Sequence, residues 1–223
     1  MPILKVATVL SSLIQFTLLF WLFFKKKFKT PSEKFLIMFT LNGALYCLFI
    51  FLYMIEPRQQ NALLNSNIAI FFSCFYFLFV LLFSISFTNK KIHAANLILV
   101  ILTCIFCVYF WYNLIVKIDY GKWGWYPETN YTAARIWALF ACGCITGTLW
   151  HMHKIIVALK KNNEKNLKKR MSYVSYSIFG LSVLALLSYL LNYLPGNEKL
   201  PLFFPAFFFI PSLFTVFAMI KKD

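Results

Sequence analysis

Seven mostly apolar runs divide the chain, each close to the roughly 20 residues that carry an α-helix across the hydrocarbon core of a bilayer. They are Val6–Phe24, Phe35–Ile55, Ile68–Thr88, Ala94–Val116, Ala133–Met152, Tyr173–Leu194 and Leu202–Ile220. Polar punctuation stops them: Lys25-Lys26-Lys27 after the first, Glu56-Pro57-Arg58 after the second, Asn89-Lys90-Lys91 after the third and Pro195-Gly196 after the sixth. Thr30-Pro31-Ser32-Glu33 has the spacing of a capping box with proline at the first helical position, so a firm helix start is predicted there. The predicted fold is an all-α bundle of seven transmembrane helices forming one domain over residues 1–223. The first run lacks a basic leader and a small-residue cleavage site, and reads as a helix rather than a signal peptide.

Composition agrees with the pattern. Hydrophobic residues make up 61% of the 223 positions and charged residues only 13%, about half the roughly 25% of soluble domains. The net charge of +15 would suggest nucleic acid in a soluble chain, but here its distribution matters more. Of the 22 Lys and Arg residues, sixteen fall in alternate connections and the tail. Those groups are Lys25 to Lys34, Lys90-Lys91, Lys154 to Arg170 and Lys221-Lys222. The other side has six: Lys5, Arg58, Lys117, Lys122, Arg135 and Lys199. The positive-inside rule then predicts the N-terminus outside and the C-terminus in the cytoplasm of a cell (inner) membrane. Most of the basic charge follows from topology and attraction to anionic lipid on the cytoplasmic face, and no nucleic-acid partner is implied.

The basic connection Lys154, Lys160, Lys161, Lys165, Lys168, Lys169, Arg170 is predicted to prolong the fifth helix beyond the bilayer. It is either a solvated charged face or a docking surface for lipid or a partner.

Acidic and basic side chains are absent from mid-membrane depth, where pumps, ion-coupled carriers and intramembrane proteases need them. No phosphate loop, nucleophilic triad or zinc-protease motif occurs. No enzymatic activity and no cofactor are therefore expected. The six cysteines, Cys47, Cys74, Cys104, Cys107, Cys142 and Cys144, all lie within the apolar runs and are expected to pack as small hydrophobes. Cys142-x-Cys144 and His151-x-His153 do not each share a helix face, so no metal site is expected. Polar residues inside the runs (Gln15, Thr17, Asn42, Ser73, Asn113, Thr146, Thr148, Ser182 and Ser188) suggest hydrogen bonds between helices or a polar-lined cavity. Gly43-Ala44 and Gly143-x-x-x-Gly147 suggest close helix approach. Pro205 and Pro211 predict a kink in the seventh helix.

The connection between the fourth and fifth runs, Lys117 to Thr132, is 16 residues long and rich in aromatics. Asp119, Trp123, Trp125, Tyr126 and Glu128, with Arg135 just beyond, are its candidate ligand-binding or capping residues. Trp and Tyr also gather at membrane interfaces as anchors. Glycines on both sides of Trp123, with Pro127, point to a shaped cap over the bundle mouth.

Trp123-Gly124-Trp125-Tyr126-Pro127 resembles the W-G-[YW]-Y-P signature of the bacterial N-terminal seven-transmembrane region of histidine kinases. Asn42 and Phe87-Thr88-Asn89-Lys90 are similar to that family's pattern as well. The resemblance spans essentially the whole chain and implies a sensory membrane input domain acting on a cytoplasmic signalling module. The family's output module would follow the seventh helix, whereas this sequence ends at Asp223. That leaves an output domain removed or a separate partner protein, with homo-oligomerisation also open. A non-catalytic scaffold subunit is the alternative. A small sugar carrier of SWEET type fits less well, because its paired three-helix repeats with matching prolines are not apparent.

Overall fold

The computed structural model of the chain describes residues 2–25, 30–88, 94–121, 124–162, 164–193 and 204–220. The apolar runs form helices α1 (Pro2–Lys25), α2 (Pro31–Ile55), α3 (Gln59–Thr88), α4 (Ala94–Asn113), α5 (Tyr131–Lys161), α6 (Lys165–Tyr193) and α7 (Phe209–Ile220). A 3-10 turn, Phe204–Phe207, precedes α7, and two strands, β1 (Ile115–Gly121) and β2 (Gly124–Thr129), lie between α4 and α5. Among the described residues, five helical segments are long and apolar enough to cross a membrane: Ile3–Phe24, Pro31–Ile55, Gln59–Phe87, Asn96–Asn113 and Tyr131–Lys161. The chain is thus a mostly helical, multi-pass membrane protein.

Local chemistry sets several boundaries. The capping box at α2 is present: Glu33 N donates to Thr30 Oγ1 at 3.4 Å, and Thr30 N donates to Glu33 Oε2 at 3.1 Å. Asn130 caps α5 by accepting from Thr132 N and Ala133 N at 2.9 and 3.3 Å. Helix α3 starts nine residues before its apolar run, because the polar segment from Gln59 onward is usable helix that finds partners at the bundle end.

Three expectations change. Helix α4 stops at Asn113 rather than running to Val116, and the following residues form an antiparallel hairpin. Ile115, Val116, Ile118 and Tyr120 are β-branched or aromatic, and Gly121 pairs with Gly124 where the strands turn. The architecture is that of an all-α membrane protein, with this short hairpin set between two of its helices. The basic segment is not one prolonged α5: the helix ends at Lys161 and α6 begins at Lys165. Glu164 N donates to Leu159 O and Lys168 N donates to Glu164 O, so the turn is tight. The seventh run is not one kinked helix either. Pro205 lies in the 3-10 turn and Pro211 is the third residue of α7, where a helix has no internal N–H bond to lose. The prolines mark where α7 starts rather than bending its interior.

Helix α3 is the centre of the bundle and packs on α2, α4 and α5. Helix α1 lies on α2, α6 lies on α5, and α7 closes the assembly between α1, α2 and α6. The core contains Leu22, Leu36, Phe39, Phe83, Met152 and Met171, each at most 1% exposed. Large apolar side chains nevertheless point outward along most helices: Phe20, Leu97, Val108, Leu139 and Phe179 are all more than half exposed. Small polar residues are buried, Thr8, Ser11, Gln15, Thr40 and Thr148 completely. A soluble protein of this size does not expose so much apolar surface, whereas lipid tails cover it readily.

Candidate functional site

The hairpin is fixed to the corner where α2 turns into α3. Ile118 is 1% exposed and packs with Tyr53, Ala62 and Ile115, with Trp125 and Met54 at the edge of this small core. The Tyr53 hydroxyl donates to the Trp125 carbonyl, and the Trp125 indole N–H donates to the Glu56 carbonyl. Gln59 Nε2 donates to Ile118 O at 2.6 Å. Tyr120 faces Trp125 across the strands and meets it edge to face at 5.0 Å. Asn130 N donates to Leu114 O at 3.0 Å and ties the hairpin's two ends together. The hairpin's contacts are with α2, α3 and α4.

The predicted outer residues divide. Trp125 is structural in part, since both polar atoms of its bonds are used on α2. Asp119 pairs with Lys117 at 2.7 Å on the half-exposed strand surface, a contact worth at most about 1 kcal/mol. Glu128 stands opposite Lys117 in the register and is exposed. Arg135 is exposed on α5, and among the described residues no ion pair joins it to Asp119 or Glu128. Trp123 lies outside the described residues, and for Tyr126 the backbone pairing opposite Asp119 is described. The loop therefore presents no converged ligand pocket among the described residues.

A second constellation lies inside the bundle. Gln15 on α1 is fully buried. Its Nε2 donates to Cys47 Sγ at 3.6 Å, and its Oε1 accepts from Ser212 Oγ of α7 at 3.2 Å. Ser11 Oγ also meets Cys47 Sγ at 3.6 Å, and Ser12 Oγ donates to Ala44 O at 2.9 Å. Gly43 lets α1 and α3 come close here: a Cβ would displace Gln15 Oε1 from its present place and reach 3.0 Å from the Tyr76 ring. The predicted close approach at Gly43-Ala44 is therefore present. On α5 the pattern differs: Gly147 faces Leu81, which a Cβ would meet at 2.9 Å, while Gly143 has open space.

Most other polar residues of the apolar runs bond within their own helix. Thr17, Asn42, Ser73, Asn113, Thr148 and Ser182 each donate to a carbonyl three or four residues back, at 2.7–2.9 Å. Only Gln15 among the residues predicted to bridge helices does so among the described hydrogen bonds. Ser11, Ser12, Cys47 and Ser212 were missed. An isolated serine or cysteine in an apolar run carries no periodic signal that separates bridging from back-bonding.

The start of α7 is also fastened by aromatics. Phe208, 1% exposed, sits against Tyr46 at 4.8 Å and Tyr76 at 4.3 Å between ring centroids, with Phe77 at 6.4 Å. At the opposite end of the bundle from the hairpin, Lys154, Lys160, Lys161, Lys165 and Lys169 are exposed, while Lys168 and Arg170 are half-buried. Lys154 Nζ lies 5.0 Å from the centre of the exposed Trp150 ring. Among the described residues no three His, Cys, Asp or Glu side chains gather as metal ligands would.

Neither the comparison with protein-family models nor that with curated proteins gives a match to this chain.

Proposed function

We propose that the protein is a sensory input unit with seven membrane spans, its N-terminus outside and its C-terminus in the cytoplasm of a bacterial inner membrane. In this reading a ligand or membrane property on the outer side biases the bundle. Helix α7 passes the change to a cytoplasmic signalling module or partner protein, as the resemblance to the seven-transmembrane region of histidine kinases implies. The chain itself carries out no chemistry.

One contiguity supports the reading. Trp125 of the hairpin bonds to Tyr53 and Glu56 on α2, and Tyr46, two turns away on the same face of α2, packs on Phe208 at the start of α7. A push on the hairpin thus has a packed route to the helix that ends the chain. To carry a signal, this contact would have to switch between two packings. The seven exposed and half-buried cations of the α5–α6 turn, Lys154 to Arg170, would supply a docking surface for the acidic partner and for anionic lipid. A scaffold subunit is the second reading. It is favoured by α4, whose outer face of Leu97, Ile101, Ile105 and Val108 is apolar and half or more exposed.

Affinity capture from native membranes tests the proposal, with the wild type and a variant carrying Lys160→Gln, Lys161→Gln, Lys168→Gln and Lys169→Gln. The wild type should recover a cytoplasmic signalling protein that the variant loses. Recovery of the same set by both, or of none, would remove the docking surface. Solute flux by the purified chain in liposomes would replace the sensor with a transporter.

A further inference from the structure

Two buried hydroxyls, on Ser212 of α7 and Tyr76 of α3, stand near one acceptor, Gln15 Oε1 of α1. Ser212 holds it at 3.2 Å, beyond the usual 2.5–3.0 Å of a hydrogen bond between two oxygens. Tyr76 is 2% exposed, and its hydroxyl has no partner among the described residues. The point where a Cβ on Gly43 would stand is 2.3 Å from Gln15 Oε1 and 3.0 Å from Tyr76 Cε2, the ring carbon beside the one that carries the hydroxyl. The bare backbone of Gly43 thus leaves the amide oxygen and the polar end of the ring bordering the same gap.

The two hydroxyls differ in what else they can reach. Ser212 is the fourth residue of α7, with the Phe208 carbonyl four positions back. Serine and threonine bond their own helix readily in this way, and Thr215 does so to Pro211 O at 2.7 Å. Tyr76 has no such recourse, because its hydroxyl sits at the far end of a rigid ring. Gln15 therefore serves the donor that has an alternative and leaves unserved the one that has none, which is costly in an apolar interior. Turning the amide oxygen to Tyr76 would satisfy both. Packing opposes the exchange: Phe208 is 1% exposed and lies against Tyr76 at 4.3 Å and Tyr46 at 4.8 Å between ring centroids. It holds the tyrosine in place while the start of α7 is seated.

We propose that Gln15 is the pivot of a two-state latch on α7. With α7 seated, Gln15 Oε1 accepts from Ser212. With the start of α7 drawn away, it accepts from the Tyr76 hydroxyl, and Ser212 bonds to Phe208 O. The released state gains a hydrogen bond and the seated state keeps the Phe208 packing, so the two lie close in free energy, as a switch requires. The latch belongs to the bundle and holds whatever α7 leads to; under the sensory reading it is the element that a push on the hairpin biases.

Hydrogen exchange of the α7 amides, read by mass spectrometry on the protein in nanodiscs, tests it. Tyr76→Phe keeps the ring and deletes the competing donor. It should slow exchange over Phe209–Ile220 about fivefold, the population change that one hydrogen bond makes. The same change made together with Gln15→Met should leave α7 exchange as it is in Gln15→Met alone, because the acceptor is gone. Ser212→Ala should speed exchange of α7, and adding Tyr76→Phe should reverse most of that; this pair decides the matter if Gln15→Met does not fold. Unchanged α7 exchange in Tyr76→Phe, or equal slowing with and without Gln15, overturns the latch. So does a Ser212→Ala effect that persists in full beside Tyr76→Phe. None of these outcomes depends on capture of a signalling partner, so the latch and the sensory reading fail separately.

Discussion

Ser212 donates a hydrogen bond to Gln15 across 197 positions of sequence, and this contact ties α7 to α1 inside the bundle. Both side chains are fully buried, and the amide's other end reaches Cys47 on α2. One glutamine therefore holds three helices. In a membrane this contact has no help from hydrophobic exclusion, so packing and hydrogen bonding must supply the specificity.

Ser212→Ala should lower the melting temperature by only a degree or two, since bonds between membrane helices average about 0.6 kcal/mol. Gln15→Leu should cost more, because it leaves Ser212 without its acceptor and Cys47 without the amide donor. A thermal melt in detergent reads both. Equal, negligible effects would mean that the amide contributes nothing to holding α7.

Gly43→Ala is expected to destabilise the bundle, while Gly143→Ala is not. Its Cβ would collide with Gln15 Oε1 and press on the Tyr76 ring, and overpacking of this kind costs about 1–3 kcal/mol. Shortening the opposing side chain should recover part of the loss, so Gly43→Ala with Gln15→Ala should melt above the sum of the two single effects. Gly143→Ala, which meets nothing within 4 Å, is the matched control and should be neutral or slightly stabilising. If both glycine changes behave alike, the close approach of α1 and α2 is wrong.

The helices were legible because runs of some 20 apolar residues leave the backbone few alternatives in lipid. The hairpin was not read, although Ile115 to Tyr120 holds four β-branched or aromatic residues and Gly121 and Gly124 bracket the turn. Its strand signal is six residues long and abuts an apolar helix, which absorbed Ile115 and Val116 into α4. The prolines misled for a related reason. Pro211 appears interior when the run is taken to begin at Leu202, and is harmless once the helix begins at Phe209. Of the interior cluster, Gln15 was named because a primary amide in an apolar run is conspicuous. Its partners Ser11, Cys47 and Ser212 pass as ordinary small residues until the helices are packed.

Removing the Trp125 indole should loosen the hairpin more than the bundle. Trp125→Ala deletes the bond to the Glu56 carbonyl and the edge contact with Tyr120, and uncovers Ile118. Faster hydrogen exchange at Ile118 to Tyr120, with little change in α5, is the expected result. Tyr53→Phe should give a weaker version of the same pattern. Unchanged exchange in both variants would make Trp125 an interface anchor rather than a fastening.

Single cysteines introduced into a cysteine-free background test the orientation. A thiol at Glu128 should react with an impermeant reagent added to intact cells, and a thiol at Lys161 or Lys165 only after permeabilisation. The native Cys104 and Cys142 are exposed on helix faces and would otherwise obscure the result. The reverse pattern would invert the whole topology, and with it the side on which the basic turn lies.

The last prediction concerns lipid at that basic turn. Helix α5 has 31 residues and at 1.5 Å per residue measures about 46 Å, well beyond the roughly 30 Å of bilayer hydrocarbon. Where it leaves the hydrocarbon should be marked by side chains that favour the interface. Trp150, 59% exposed with the Lys154 ammonium over its ring, has that character. Tyr173 and Tyr176 on α6 are exposed as well, with Lys169 and Lys165 one and two turns nearer the tip on the same side. Each helix thus changes from apolar to aromatic to cationic along one stripe, which sets the lysines at headgroup depth. Phosphates there would gain about 1 kcal/mol per nearby cation at low salt, and the gain would fade as ionic strength rises. Anionic lipid in nanodiscs should therefore raise the melting temperature over zwitterionic lipid alone, and 0.5 M salt should erase the difference. Lys154→Gln with Lys161→Gln, Lys165→Gln and Lys169→Gln should remove the anionic effect and leave the zwitterionic melt unchanged, because none of these lysines is buried. An anionic increment that survives both salt and substitution would place the lipid contact elsewhere on the bundle.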